Sequence, residues 1–123
     1  MKTILIVDDE WSVLQMVTDV LEDEGYAVLS AANGSQALER LAAHQPDLVL
    51  CDLMMPVMRG ADMARTMRAT PRLDAVPLVM MSAGNQPLGE LDFAHDAVLR
   101  KPFTIAALCA TLETVLGQQG HAA

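Results

Sequence analysis

Hydrophobic and polar positions alternate along this chain in two rhythms. Unbroken apolar runs of four, Ile4-Leu5-Ile6-Val7, Leu48-Val49-Leu50-Cys51 and Leu78-Val79-Met80-Met81, read as strands buried on both faces. Between the first two runs, Leu14, Val17 and Leu21 recur at helical spacing, and Val13, Met16 and Val20 form a second stripe beside them. The pattern predicts strands over about Thr3–Val7, Ala27–Ala31, Leu48–Asp52, Pro77–Ser82 and Ala97–Arg100. It predicts helices over about Ser12–Glu24, from a Ser35 cap to Ala43, over Ala61–Ala69, and from a Thr104 cap to Leu116. Gly25 suits the residue past the first helix, Gly117 is expected to stop the last, and the tail to Ala123 is expected to be loose.

Strands separated by helices imply an α/β class with a doubly wound, five-stranded parallel sheet covered on both faces. In such sheets ligands bind beyond the carboxyl ends of the strands. Two of the strands deliver acids to that edge, Asp8-Asp9-Glu10 after the first and Asp52 at the end of the third. Ser82 ends the fourth, and Lys101 follows the fifth. A buried charge is costly unless paired, so Asp8, Asp9 and Asp52 at one edge point to a cation site. Asp8 and Asp9 would also suit the start of a helix, where acids complement the dipole.

Composition narrows the picture. The 123 residues suffice for one domain with a real core, which must be aliphatic and Met-rich because only 3% are aromatic. The net charge of −8 argues against nucleic acid and against anionic membrane surfaces as partners. No apolar run approaches the roughly 20 residues that span a bilayer, and the N-terminus lacks the order of a signal peptide. Cys51 and Cys109 sit within apolar patterns without metal-type spacing, so both are expected to be reduced core residues of a cytoplasmic protein.

Four blocks carry a resemblance: Val7-Asp8-Asp9-Glu10; Asp52-Leu53-Met54-Met55-Pro56 with Gly60; Ser82-Ala83; and Lys101-Pro102-Phe103. In this order and spacing, over almost the whole chain, they resemble the receiver domain of two-component response regulators, of the stand-alone, chemotaxis-regulator-like kind. The resemblance implies a flavodoxin-like fold with strand order 2-1-3-4-5. It implies Mg²⁺ held by Asp9, Asp52 and the backbone carbonyl of Met54, with Asp8 assisting through water. Asp52 would accept a phosphoryl group from a histidine kinase or histidine phosphotransfer protein, as a carboxylate nucleophile. Lys101, aimed inward by a cis Lys101-Pro102 bond, would neutralise a phosphoryl oxygen, and Ser82 would donate a hydroxyl to it. Ala83 leaves room for the incoming group. The domain would catalyse only its own phosphorylation and dephosphorylation, and would signal to an unidentified downstream protein or pass the phosphate onward.

The chain also departs from that family. The position three before Lys101 is often an aromatic that swings inward; here it is Val98, which cannot. Between Ser82 and Lys101 the chain is short and holds Gly84, Pro87 and Gly89, so any helix there would be brief. Modification is therefore expected to change order in Gly84 to Ala94 rather than to rotate one ring. By resemblance, Val13 and Met16 sit where receivers dock their kinase; the alternative is that both stripes edge the core. Arg65, Arg68 and Arg72 are expected to be a solvated face; His44, His95 and His121 have no ligand spacing. Trp11 either lies near the site or packs at the helix start. Two other activities share the fold class. A flavin carrier would want a Ser/Thr/Gly-rich loop where this chain has three acids. A phosphatase with an Asp nucleophile would want an acid where Met54 stands.

Overall fold

The computed structural model describes residues 1–83, 91 and 93–120, the last three by their backbone alone. The expected brief helix and change of order within Gly84 to Ala94 fall largely on residues 84–90 and 92, outside those described; so does His121. The elements are β1 (Thr3–Val7), α1 (Trp11–Asp23), β2 (Ala27–Ala31), α2 (Gly34–Ala43), β3 (Leu48–Asp52), α3 (Gly60–Ala69), β4 (Leu78–Ala83), β5 (Ala97–Lys101) and α4 (Ile105–Gly120). The strands form one parallel sheet in the order β2-β1-β3-β4-β5, as expected.

Strand residues alternate between two cores, because successive side chains point to opposite faces. Leu5, Val7, Val49, Cys51, Leu78 and Met80 face α2 and α3, where they meet Ala37, Leu41, Met63 and Met67. Ile4, Ile6, Leu48, Leu50, Val79 and Met81 face α1 and α4, against Val17, Leu21, Leu108 and Leu112. Every residue of β3 is buried, which suits a central strand of an all-parallel sheet. Two acids secure the opposite, amino edge. The Asp47 carboxylate accepts the Thr3 N–H at 2.7 Å, and that of Asp96 accepts the Leu78 N–H at 2.8 Å. Each satisfies a donor at the start of a strand that has no partner there.

Helix ends depart from the sequence expectations in instructive ways. α1 starts at Trp11, with Glu10 as a cap whose side chain makes no capping bond, so Ser12 is not the cap. The entry is set instead by Asp8, whose carboxylate accepts the Glu10 N–H at 2.9 Å. α1 ends as expected: Gly25 takes φ +93°, and the N–H groups of Gly25 and Tyr26 bond to the carbonyls of Glu22 and Leu21. α2 is capped by Asn33, not Ser35; its side chain accepts the Gln36 N–H, and Gln36 Oε1 accepts the Ala32 N–H in return. The Thr104 hydroxyl caps α4 by accepting the Ala107 N–H. Gly117 does not stop α4, which runs to Gly120; the left-handed φ that ends α1 is not adopted there.

Of the arginines expected to form a solvated face, Arg72 is exposed and Arg65 and Arg68 are half-buried, and all three have partners. Arg68 donates to the carbonyls of Leu73, Asp74, Val76 and Ala94, and Arg72 to that of Leu41 at the end of α2. Arg65 lies over the Phe93 ring, 5.9 Å from its centroid, and 3.3 Å from Asp62. Cys51 is a buried core thiol, whereas Cys109 on α4 is only partly buried; both are free.

Candidate functional site

The order 2-1-3 places the reversal of strand order between β1 and β3, where ligands of such sheets collect. The carboxyl ends there carry Asp8, Asp9 and Asp52, and one oxygen of each lies within 4.8 Å of the others. Asp8 is fully buried, Asp52 is 6% exposed, and Asp9 faces solvent. From β5, at the edge of the sheet beyond β4, Lys101 reaches across with its Nζ 2.8 Å from Asp8 Oδ2, 3.4 Å from Asp52 Oδ1 and 3.9 Å from Glu10 Oε1. The Lys101-Pro102 peptide is cis. Ser82, near the end of β4, is fully buried, and its hydroxyl has no hydrogen-bond partner among the described residues. A buried hydroxyl without such a partner is uncommon and calls for an explanation. The structure therefore brings together five of the six residues singled out by the sequence. The sixth, Met54, lies in the loop after β3 with its side chain 55% exposed.

That loop, residues 53–59, is held against β3 by Gly60. A Cβ at Gly60 would lie 2.0 Å from the Asp52 carbonyl oxygen, so only glycine permits the approach. The Gly60 N–H donates to Leu53 O at 2.9 Å, closing the loop. Val57, at its outer edge, adopts φ +71°, a strained conformation for a β-branched residue.

Burial pushes the Asp52 carboxyl up to about 6, with Asp8 and Asp9 adding to the rise and Lys101 opposing it. Lys101 is pushed down by burial, but its hydrogen bond to Asp8 and the charges of Asp52 and Asp8 outweigh that and hold it above its ordinary value. Asp52 is thus mostly ionised near pH 7 yet poorly compensated by one lysine. Its neighbour Cys51 is driven well upward by burial and then by Asp52 and Asp8, which leaves an inert thiol.

Beside the cluster lies a cavity of about 410 Å³ with walls from Val13, Met16, Pro102 and Phe103. Of the two stripes on α1, Val17 and Leu21 are buried, Val13, Leu14 and Val20 are half-buried, and Met16 is 41% exposed. Trp11 is 73% exposed, which excludes a packing role at the helix start. Val98 packs on the α2–α3 side of the sheet. The proximity of Glu10 to Lys101 had no signal in the sequence, because it depends on where β5 lies relative to β1.

The profile described as the response regulator receiver domain matches residues 4–113, and the chain belongs to that family. It is 35% identical over 122 residues to the phosphate regulon transcriptional regulatory protein PhoB of Pseudomonas aeruginosa, covering 97% of this chain and 53% of that protein. It is 39% identical over 116 residues to the DNA-binding response regulator MtrA of Mycolicibacterium smegmatis, covering 92% and 50%. The chain thus spans about half the length of these curated relatives. Among solved structures it resembles the receiver domain of a sensor histidine kinase from Pseudomonas aeruginosa, with a TM-score of 0.87, 28% identity, and coverage of 94% of this chain and 98% of that one. That receiver was crystallised with a magnesium ion coordinated in its active site cleft.

One expectation is overturned. The acidic balance argued against nucleic acid as a partner, yet MtrA is a DNA-binding response regulator. Net charge describes only the residues counted, and these 123 match half of such proteins, so it cannot exclude DNA from the signalling unit. No described helix is long and apolar enough to cross a membrane.

Proposed function

We propose that this receiver accepts a phosphoryl group on Asp52 from a phosphohistidine of a histidine kinase or histidine phosphotransfer protein. The observation that carries the reading is a nearly buried carboxylate at a strand end, flanked by two further acids and a lysine, beside a buried hydroxyl with no partner among the described residues. Asp52 Oδ attacks phosphorus; the new O–P bond forms as the P–N bond breaks, and the electron pair leaves with the imidazole nitrogen. Lys101, already 3.4 Å from Asp52, neutralises a phosphoryl oxygen after the transfer. The Ser82 hydroxyl donates to another oxygen. Attack of water on the acyl phosphate returns the free carboxylate, so the chain catalyses its own modification and its own reset, and no other turnover.

The acid cluster fits a hard divalent ion, since three carboxylate oxygens within 4.8 Å repel one another when ionised and one lysine does not balance them. Asp9, Asp52 and the Met54 carbonyl would hold Mg²⁺, with Asp8 assisting through water. When bound, Mg²⁺ supplies positive charge to the acids and to the transferring phosphoryl oxygens. The exposed Met16 and half-buried Val13, next to the apolar cavity, support docking of the donor's helix on this side. Signalling follows from a change of this surface, in a cytoplasmic two-component pathway; the likeness to PhoB, a transcriptional regulatory protein, and to MtrA, a DNA-binding response regulator, keeps DNA among the downstream targets.

Incubation with acetyl phosphate and Mg²⁺ should add one phosphoryl mass, mapped to Asp52, and none to Asp52→Asn. Unmodified wild-type protein under saturating donor and metal would leave a docking module that never carries phosphate.

A further inference from the structure

Lys101 is shared among three carboxylates, but the third, Glu10, is unlike the other two. It is 62% exposed, contributes no oxygen to the acid triad, and makes no capping bond at the start of α1. It lines, with Lys101, the 410 Å³ cavity whose other walls are apolar. A donor seated there with its phosphoryl group at Lys101 has the Glu10 carboxylate on its flank. We propose that Glu10 is a donor-selecting residue: it disfavours small dianionic acyl phosphates relative to donors that carry a proton, and hence positive charge, on the leaving nitrogen. The inference rests on Asp52 being the acceptor.

The chemistry of the two donor classes differs where Glu10 would sense it. From acetyl phosphate, the Asp52 oxygen forms the O–P bond while the P–O bond to acetate breaks and acetate leaves with the electron pair. From phosphoramidate, the P–N bond breaks and the already protonated nitrogen leaves as ammonia. The first donor approaches as a dianion and expels an anion; the second approaches with one negative charge fewer. One extra unit of charge beside the exposed Glu10 carboxylate, interacting through water at low salt, is worth about threefold in relative rate. A phosphohistidine on a protein helix carries its charge on an apolar surface suited to Val13 and Met16, and Glu10 leaves that route open while narrowing the small-molecule one.

The test compares phosphorylation rates of the full chain by acetyl phosphate and by phosphoramidate, with Mg²⁺, for wild type, Glu10→Gln, Glu10→Lys and Glu39→Gln. Glu39 is an exposed acid on α2, so its variant makes the same change in net charge elsewhere. The acetyl phosphate to phosphoramidate ratio should rise about threefold in Glu10→Gln, further in Glu10→Lys, and stay at the wild-type value in Glu39→Gln. Added salt should raise the wild-type ratio toward that of Glu10→Gln. A ratio unmoved at Glu10, or moved equally by Glu39→Gln, overturns the proposal while leaving Asp52 as acceptor. A wild-type chain that takes phosphate from neither donor overturns both.

Discussion

Asp52→Asn should make the protein more stable at neutral pH. In the unfolded chain this carboxyl ionises near 3.8; in the folded chain burial, reinforced by Asp8 and Asp9 and opposed by Lys101, holds it at about 6. Below the lower value both states are protonated and the group contributes nothing. As pH rises from there to about 6 the unfolded state ionises first, so folding stability falls, and above that the full penalty persists. At about 1.4 kcal/mol per pH unit the penalty reaches about 3 kcal/mol. Asparagine does not titrate, so the variant escapes it. For a chain of this length the gain corresponds to a rise of about 10 °C in Tm at pH 7.5. Urea denaturation followed by far-ultraviolet circular dichroism, at pH 4.5 and 7.5, reads the difference directly. About 2 kcal/mol of the advantage should accrue between those two values, and Mg²⁺ should stabilise wild type more than the variant because it relieves the same charge. An Asp52→Asn protein no more stable than wild type at pH 7.5, or one whose advantage ignores pH, would refute the claim that this acid is held against its own ionisation.

Other perturbations follow from the same geometry. Gly60→Ala drives a methyl into the Asp52 carbonyl, which cannot yield without moving β3 or the loop; a loss of about 2–3 kcal/mol and slower phosphorylation by acetyl phosphate are expected. Val57→Gly relieves φ +71° at an exposed position, and thermal denaturation should show a gain of about 1 kcal/mol or less, since glycine also frees the unfolded chain. Arg68→Lys leaves most of four carbonyls without their donor, because an ammonium cannot span Leu73, Asp74, Val76 and Ala94 together; chemical denaturation should show a loss of about 1–3 kcal/mol.

The sequence by itself determined which residues become strands and which chemistry they bear. Apolar runs of four have no exposed face, so they could only be central strands of a covered sheet, and the acids closing β1 and β3 had to emerge at the same edge once those strands ran parallel. The left-handed turn at Gly25 and the Thr104 cap were equally legible, since both are local. Tertiary structure decided what distant segments do to one another. Ser35 and Ser12 looked like caps, but Asn33 caps α2, and α1 begins after Glu10, whose N–H the buried Asp8 carboxylate accepts. Arg68 and Arg72 looked like a wet surface, but Arg68 ties the chain after α3 together and Arg72 reaches a carbonyl of α2. Glu10 acquired a meaning only when β5, 90 residues on, delivered Lys101 beside it. Local pattern fixes the period and chemistry of each element, whereas burial and charge pairing are properties of neighbours in space, which no stretch of sequence contains.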